Sequence, residues 1–463
     1  MPEIDHAFRS ITRGALLLVA LLAGAALLRL DGIRYGLPAA VLNADERSIV
    51  PRAWRMTHGA GANPDWFDYP TLLMYLLAPV QAVFDEPSYL SARLSVAALG
   101  VAGVAAAWWL GRRAYGMWAG WTAGAVTAVA TTHVAYSHVA VTDVPLTLGI
   151  TVGLALLLSG RLEWAGAVAG LAASVKYPGV FLLVPLVVAG WGRWRRLAVA
   201  ACLAAAAFAV TSPFVLIHAG QAAGDAARVQ RLARAGWLGF EHDLPTPLAF
   251  LDRLWEGLGP VLLVAAAGLA LALVRRRRAD LVLGSFVLVY FADLLTLNAH
   301  FDRYVLPLVP VLGALAGRTR ALAPAALALA LVPLAWSLGD NGELRKIDTR
   351  TRAQAWIRSA LPAGESIAVD PSTPALEGMR VTSLRLPGPG RASDGRRDVA
   401  RLRALGVHYV LITGAVTDRV LAARERYRVE ARFYDALRRG HRRVYALEPG
   451  GELAGPWVAV YRL

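Results

Sequence analysis

Charged residues are scarce in this chain. Asp, Glu, Lys and Arg make up 17% of the 463 residues, whereas hydrophobic residues make up 56%. A soluble protein of this size needs more charge to cover its surface. Apolar runs rich in Ala, Leu and Val recur up to residue 338, and several approach the ~20 residues needed to cross a bilayer. The composition therefore disfavours a soluble enzyme and predicts a polytopic α-helical membrane protein.

Cysteine is almost absent as well. The single cysteine, Cys202, lies within an apolar run. One thiol allows neither a disulfide nor a thiolate metal site within one chain. The sequence also lacks repeats of 20–50 residues and low-complexity tracts beyond its Ala-rich runs.

Acidic residues are outnumbered by basic ones, 33 against 48, which gives a formal net charge of +15. Such a charge often indicates nucleic-acid binding. Here, however, Arg occurs in short clusters between apolar segments, which is typical of topology signals rather than of one phosphate-binding face. We therefore expect no nucleic-acid partner.

The apolar runs predict eleven membrane crossings. With the N-terminus inside, the short basic clusters, such as Arg112 and Arg113, all fall in cytoplasmic loops. Arg9 and Arg13 precede the first run, which we interpret as a retained helix because no clear cleavage site follows it. The predicted spans are residues 14–30, 91–110, 117–132, 144–159, 165–175, 177–191, 197–217, 258–274, 281–297, 305–316 and 321–338.

Lys176 lies between two of the shorter runs. One long helix through this region is the alternative, but it would bury Lys176 in lipid and would place basic clusters on both sides of the membrane. Two short spans avoid both problems. The outer segments are then residues 31–90, 133–143, 218–257 and 300–303, and residues 75–84 are predicted to form a helix at the interface.

The composition changes at residue 339, where charges become dense. Predicted strands at 366–370, 408–413 and 457–463 alternate with predicted helices at 351–360 and 396–405. This pattern indicates a small α/β domain over residues 339–463, following a transmembrane domain over residues 1–338. An odd number of crossings places this C-terminal domain outside the cytoplasm.

Carboxylates recur in the outer segments. Asp45 and Glu46 are adjacent, and on a helix they would point about 100° apart, so that only one could face a given atom. The alternative is a surface helix with solvated charges. Asp143 ends an outer segment, where it could either serve an active site or cap the helix that follows.

Basic and aromatic residues accompany these carboxylates. Lys176 could hold a phosphate as a point charge, or extend to the interface, and Arg303 could grip a phosphate or pair with Asp302. Asp68 and Tyr69 lie in an aromatic, proline-containing segment suited to meeting a lipid. The scattered histidines do not form metal-ligand spacing.

All of these groups fall on the same predicted face of the membrane. Carboxylates can organise a cation or take a proton, cations can hold a phosphate, and interfacial aromatics can meet a lipid. The combination favours transfer of a group from a lipid phosphate to an acceptor outside the membrane.

Several sequence patches resemble the GT-C glycosyltransferases. Within that class the chain is similar to the group that contains the protein O-mannosyltransferases and the bacterial aminoarabinose transferases, which use phospholipid carriers. The patches are the Asp45-Glu46 pair, FDYPTL at 67–72, the spacing from Ser137 to Asp143, ASVKYPG around Lys176, RYVLPLVPVLGALAG from Arg303, and GVHYVLI and GPWVAVYRL near the end.

The resemblance implies an inverting transfer from a polyprenyl-phosphate sugar to a lipid, glycan or protein acceptor, at the outer face of the inner membrane. It implies that Asp45 is the base or a carboxylate that organises the acceptor, that Asp143 is a second acidic site residue and that Lys176 binds the donor phosphate. Together with the residue patterns, it predicts a site that comprises catalytic Asp45, Glu46 and Asp143, phosphate-binding Lys176 and Arg303, and substrate-binding Asp68, Tyr69, His138 and His300.

The sequence departs from the mannosyltransferase pattern at two positions. His138 stands where those enzymes carry Arg, and Tyr69 precedes a single proline rather than a pair. The donor sugar is therefore left open. Family members differ in metal dependence, so a divalent cation is left open too. The alternative function is a multispan transporter or flippase, which is disfavoured because such proteins often show two related halves and midplane charges.

Overall fold

The computed structural model describes residues 2–463, with side chains described from residue 14 onward. Arg9 and Arg13, which contribute to the predicted orientation of the first helix, therefore lie outside the described side chains.

The first three quarters of the chain is helical. It contains two 3₁₀-helices, Tyr177–Leu182 and Asp302–Leu308. The α-helices are α1 (Pro2–Leu30), α2 (Ala44–Thr57), α3 (Leu72–Gln81), α4 (Tyr89–Tyr115), α5 (Met117–Val129), α6 (Thr131–Ser137), α7 (Asp143–Leu158), α8 (Leu162–Val175), α9 (Leu183–Gly190), α10 (Trp194–Thr211), α11 (Pro213–Ile217), α12 (Ala219–Ala235), α13 (Thr246–Leu258), α14 (Val261–Arg275), α15 (Arg278–Leu294), α16 (Val309–Ala316), α17 (Leu322–Leu329) and α18 (Leu331–Leu344).

The predicted count of eleven spans is not confirmed. Among the described residues, three helical stretches are long and apolar enough to cross a membrane, or four if the pair α13 and α14, bent by 117°, is one span. Five further apolar helices have 10–17 residues. Several predicted runs are divided by breaks: α10 ends before Pro213, and the predicted span 305–316 begins as a 3₁₀-helix that contains Pro307. Proline lacks the N–H that a continuous helix needs.

The predicted break at Lys176 is confirmed. Helix α8 ends at Val175, Lys176 has extended backbone with φ −156° and ψ 136°, and the 3₁₀-helix begins at Tyr177. A single long helix through this region is therefore wrong. The short apolar helix predicted at residues 75–84 is present as α3, three residues earlier.

Small residues let neighbouring helices approach closely. A Cβ atom on Gly111 of α4 would lie 2.2 Å from the Ala119 carbonyl oxygen of α5. A Cβ atom on Gly166 of α8 would likewise lie 2.2 Å from the Ala200 carbonyl oxygen of α10. Helices that lack side chains at their contact can pack backbone to backbone, as is common in membrane bundles.

The C-terminal part forms the predicted small α/β structure. Its main sheet has the order β3-β2-β4-β7-β5; β2 is parallel to β3 and β4, and β7 is antiparallel to β4 and β5. The elements are β1 (Ile347–Asp348), α19 (Thr349–Ala360), β2 (Ser366–Val369), β3 (Arg380–Ser383), α20 (Val399–Ala404), β4 (Tyr409–Thr413), α21 (Gly414–Ala422), α22 (Arg428–Gly440), β5 (Arg442–Leu447), β6 (Leu453–Ala454) and β7 (Val458–Arg462).

This α/β part packs against residues 31–90 and 218–257 of the helical part, two segments that are predicted to be outer. Arg47 donates to the Thr373 carbonyl oxygen at 2.9 Å, and Arg350 donates to the Val41 carbonyl oxygen at 3.1 Å. Tyr427 contacts the second segment, 218–257, by donating to Glu241. The C-terminal domain therefore lies over the segments that surround Asp45.

Candidate active site

Asp45 lies in the first turn of α2. Asn43 caps this helix, because its side-chain oxygen accepts from the Asp45 N–H at 2.9 Å. One carboxylate oxygen of Asp45 accepts from the Tyr69 hydroxyl at 2.9 Å and lies 3.6 Å from Nη2 of Arg303. The side chain is 26% exposed, so a molecule arriving from outside the protein can reach it.

Asp143 is the first residue of α7, and its carboxylate is buried. Oδ1 accepts from Lys176 Nζ at 2.6 Å. Oδ2 has no hydrogen-bond partner, and it lies 4.0 Å from the Arg303 Nε, which also has none. The structure shows no side-chain cap on α7, so the ion pair with Lys176, rather than capping, accounts for this residue.

Two cations face these two carboxylates. The Lys176 ammonium lies 5.5 Å from the centre of the Tyr69 ring and 5.3 Å from that of Tyr304. The Arg303 guanidinium lies 4.4 Å from the centre of the Phe301 ring. All three distances fall within the range of cation–π attraction. The side chains thus form a compact cluster of two carboxylates and two cations with aromatic walls.

The surroundings of Tyr69 and Arg303 keep both of these side chains protonated. Burial, followed by the charge of Asp45, raises the pKa of Tyr69 well above its ordinary value, so the phenol remains a donor. Burial opposes the charge on Arg303, but Asp45 and the groups around it outweigh burial and raise the pKa of Arg303, which stays charged.

A cavity of about 320 Å³ adjoins the cluster. Lys176, Tyr69 and Tyr304 of the cluster line it. Its remaining wall carries the apolar residues Pro178, Val180, Phe181, Val229, Leu294 and Leu297, interrupted by the polar residues Gln230, Arg234 and Asp293. Asp68 also lines this cavity, and its ion pair with Arg228 joins the first outer loop to α12.

Glu46 is not part of the cluster. Its side chain is fully buried and forms a bidentate ion pair with Arg93 of α4, at 2.7 and 2.8 Å. It also accepts from the Ala140 N–H at 3.2 Å. Consecutive residues of a helix point about 100° apart, so α2 directs Asp45 to the site and Glu46 into the protein. The geometry gives no support to the predicted catalytic role of Glu46.

Neither predicted histidine lies in the cluster. His138 is buried, and its ring nitrogens contact the carbonyl oxygens of Val134 and Asp31 at 2.9 and 2.8 Å. His300 contacts Asp243 at 3.0 Å and lines a different cavity of about 330 Å³. Both rings therefore bond within the protein and lie outside the cluster, and their role in substrate binding stays a prediction.

Sequence reasoning missed Tyr304 and Arg93. Tyr304 follows Arg303 directly, and the centre of its ring lies 5.3 Å from the Lys176 ammonium. Arg93 had a recognisable signal, because an ionisable residue within a predicted span needs a partner. That partner, Glu46, lies 47 positions away in the sequence, and spacing alone does not reveal it.

A metal site is not evident around these carboxylates. Among the described side chains, no group of three or more His, Cys, Asp or Glu residues could hold a metal ion. Asp45 and Asp143 face Arg303 and Lys176 instead. The residues present therefore do not fit a divalent cation held by several protein ligands.

A family model decides the class of protein. The model of glycosyltransferase family 87 matches residues 66–297, which is half of the chain. The chain belongs to glycosyltransferase family 87. The predicted enzyme class is thereby confirmed, and the transporter or flippase alternative is set aside. The matched segment contains Asp143 and Lys176, whereas Asp45 and Arg303 lie on either side of it.

Solved structures show the fold of this glycosyltransferase. ArnT from Cupriavidus metallidurans in the apo state superposes with a TM-score of 0.60 at 16% identity, covering 98% of both chains. The same protein bound to undecaprenyl phosphate gives 0.58 at 16% identity, covering 97% of this chain and 98% of ArnT. No curated protein matches the sequence.

A third structure extends the likeness to another enzyme. The archaeal oligosaccharyltransferase AglB from Archaeoglobus fulgidus, in complex with an inhibitory peptide and a dolichol-phosphate, gives a TM-score of 0.56 at 13% identity, covering 86% of this chain and 69% of AglB. The glycosyltransferase is therefore a membrane protein with the predicted GT-C fold.

Proposed function

We propose that this glycosyltransferase transfers a sugar, with inversion, from a polyprenyl-phosphate donor to a hydroxyl group of a lipid, glycan or protein acceptor at the outer face of the inner membrane. One observation carries the proposal: Lys176 stands where the charged cluster meets the apolar cavity. A donor with an anionic phosphate and an apolar tail satisfies both regions at once. The carrier phosphates bound by ArnT and AglB support this choice.

Lys176 and Arg303 are the proposed phosphate ligands. The ammonium of Lys176 has three donors, one of which is used by Asp143. Nε of Arg303 is buried and has no hydrogen-bond partner. The two unused donors of Lys176 can therefore bond a phosphate oxygen while the contact with Asp143 is kept, and Arg303, which faces the same Asp143 carboxylate, adds a second positive charge. The apolar wall formed by Phe181, Val229 and Leu294 then accommodates the start of the prenyl chain.

Asp45 is the proposed general base. The acceptor oxygen attacks the anomeric carbon as the bond from that carbon to the phosphate oxygen breaks, and the acceptor proton passes to the Asp45 carboxylate. The phosphate leaves with the bonding electron pair and is stabilised by Lys176 and Arg303. A single displacement of this kind inverts the anomeric centre. The partial exposure of Asp45 leaves room for the acceptor beside it.

Asp143 has a different proposed role. Its ion pair with Lys176 is buried, and the pair holds the ammonium at the end of the cavity. One oxygen of Asp143 bonds to Lys176, and the other faces Arg303. We therefore assign Asp143 to positioning these two phosphate ligands rather than to accepting the proton of the acceptor hydroxyl.

Binding of undecaprenyl phosphate to the purified protein tests the donor site. We expect Lys176→Met to weaken binding by about 10- to 100-fold, since a hydrogen bond between charged groups contributes roughly 1.5–3 kcal/mol. Lys346→Met is the matched control, because Lys346 is the only other lysine in the chain and pairs with Glu343 on the surface. Equal affinity of the two variants would contradict the assignment.

A further inference from the structure

The segment before Asp45, residues 40–44, begins with a residue in a strained backbone conformation. Ala40, five residues before Asp45, has φ +47°, a left-handed conformation that costs energy for a residue with a Cβ atom. Val41 follows it and is buried. Next come Asn43, which caps α2, and Asp45 itself. A strained connection persists only where its surroundings hold it.

An arginine of the C-terminal domain provides part of that support. Arg350, at the start of α19, forms a bidentate ion pair with Asp348, with distances of 2.9 and 2.7 Å. A further guanidinium nitrogen donates to the Val41 carbonyl oxygen at 3.1 Å. Both Arg350 and Asp348 are buried, so water does not compete for these bonds. The pair fixes the guanidinium, and the guanidinium holds the segment four residues before Asp45.

The C-terminal domain also contacts the chain after Asp45, through the turn at Ser372 and Thr373. Ser372 lies in the turn after β2 and has φ +71°, and its carbonyl oxygen accepts from Arg350 at 3.3 Å. The next carbonyl, that of Thr373, accepts from Arg47 at 2.9 Å. Arg47 follows Asp45 by two residues. The C-terminal domain therefore contacts the chain on both sides of the carboxylate.

The turn at Ser372 lies at the carboxyl-terminal edge of the parallel strands β2 and β4. Strands β2 and β4 are parallel, and the Ser372 hydroxyl contacts the Thr413 hydroxyl at the end of β4 at 3.1 Å. Open α/β sheets usually bind their ligands at the carboxyl ends of parallel strands. Here that edge binds the Asp45 segment instead.

We propose that Arg350, together with the turn at Ser372, positions Asp45 for proton transfer, so that the C-terminal domain is part of the catalytic apparatus. The inference rests on the proposed role of Asp45 as base. Arg350 acts through the Val41 segment and touches no reacting atom, which makes it a positioning residue. The competing explanation is that these contacts only attach the domain to the helices.

The turnover number per donor-binding site separates the two explanations. Purified full-length protein is titrated with undecaprenyl phosphate to count competent sites, and transfer is then measured with a labelled polyprenyl-phosphate sugar. For Arg350→Gln we expect kcat per site to fall about 10- to 100-fold, because small misplacement of a reacting group has effects of this size. The KM for the donor should stay within about twofold, since the phosphate ligands Lys176 and Arg303 are untouched.

Matched variants control for a general loss of stability of the C-terminal domain. Arg358→Gln changes the same residue type on the same helix, where Arg358 pairs with Glu377 on the surface, and it should retain the wild-type kcat. Arg350→Lys should give an intermediate kcat, because a lysine keeps the charge but not the fork of donors. Arg47→Gln removes one backbone contact and provides a milder variant if Arg350→Gln does not fold.

Hydrogen exchange provides a readout that does not depend on turnover. Amides of residues 40–46 should exchange faster in Arg350→Gln than in Arg358→Gln. Wild-type kcat per site and unchanged exchange in Arg350→Gln and Arg47→Gln would overturn the inference. If the wild-type protein neither binds undecaprenyl phosphate nor transfers the sugar, the proposed function fails, and the exchange measurement still decides whether Arg350 holds the segment.

Discussion

Tyr69 donates its hydroxyl hydrogen to Asp45 at 2.9 Å, and the same ring lies 5.5 Å from the Lys176 ammonium. One side chain thus connects the proposed base to the proposed phosphate ligand. Because burial and Asp45 raise the pKa of Tyr69 well above its ordinary value, the donor is retained across the physiological pH range.

Removal of that hydroxyl should slow transfer without loss of donor binding. We expect Tyr69→Phe to lower kcat about 2- to 10-fold, as a single hydrogen bond contributes roughly 0.5–1.5 kcal/mol, while the ring remains against Lys176. Tyr75→Phe is the control, because Tyr75 lies in the same outer loop and its hydroxyl bonds to the Ala62 carbonyl oxygen. A larger effect on donor KM than on kcat would argue that Tyr69 binds the donor instead.

Glu46, the residue after Asp45, should stabilise the fold rather than take part in catalysis. Glu46→Ala leaves Arg93 buried without a counter-ion, and we expect the free energy of unfolding to fall by about 3–5 kcal/mol. The double variant Glu46→Gln with Arg93→Met removes both charges and should recover much of this loss. Thermal unfolding in detergent measures both. If Glu46→Ala unfolds at the wild-type temperature and yet loses transfer activity, Glu46 has a catalytic role after all.

The C-terminal domain should lose stability in acid through Asp394. Burial favours the neutral carboxyl, but hydrogen bonds from the Arg396 side chain and from the Arg385 and Arg396 amides outweigh it and lower the pKa to about 2. Because this folded-state value lies below the ordinary ~3.9, the carboxylate stabilises the fold above about pH 4, and the stabilisation disappears as the pH falls towards 2.

The Asp394→Asn variant makes this prediction measurable. Its melting temperature should change less than that of the wild type between pH 5 and pH 2, since the titrating group is gone. Glu377→Gln provides the control, because Glu377 is exposed. Parallel pH curves for Asp394→Asn and wild type would show that this carboxyl does not contribute.

The orientation of the chain is tested by fusions. A reporter enzyme that is active only outside the cytoplasm should be active when fused after Leu463, because the basic clusters predict an outer position for the C-terminal domain. The same reporter inserted after Gly192, beside the cluster Arg193, Arg195 and Arg196, should be inactive. An inactive fusion at Leu463 in well-expressed protein would contradict the predicted topology.

Local sequence signals predicted much of the fold. Apolar runs located the helices of the membrane part, and charge density with short β-branched runs located β2, β4 and β7 within a few residues. The break at Lys176 followed from the cost of a buried charge. The count of spans was harder, because breaks such as those near Pro213 and Pro307 divide continuous apolar runs into shorter helices.

The candidate site was predictable only in part, for a geometric reason. The sequence indicated that one of Asp45 and Glu46 faces the site, but the rotational phase of α2 depends on the buried ion pair of Glu46 with Arg93, a tertiary partner 47 positions away. The surroundings of the two histidines were unpredictable for the same reason. Contacts of His138 with Asp31 and of His300 with Asp243 join residues 107 and 57 positions apart, and no local pattern encodes them.

Transfer of labelled sugar by an Asp45→Asn variant tests the central claim most directly. The assay compares membranes that contain wild-type protein, Asp45→Asn or Asp85→Asn, each supplied with a polyprenyl-phosphate sugar. Asp85 is an exposed carboxylate of the same outer loop and should be dispensable. General-base catalysis typically contributes ~10²–10⁴-fold, so Asp45→Asn should transfer more slowly by about that factor while it still folds and binds undecaprenyl phosphate. Transfer by Asp45→Asn at the wild-type rate would contradict the account.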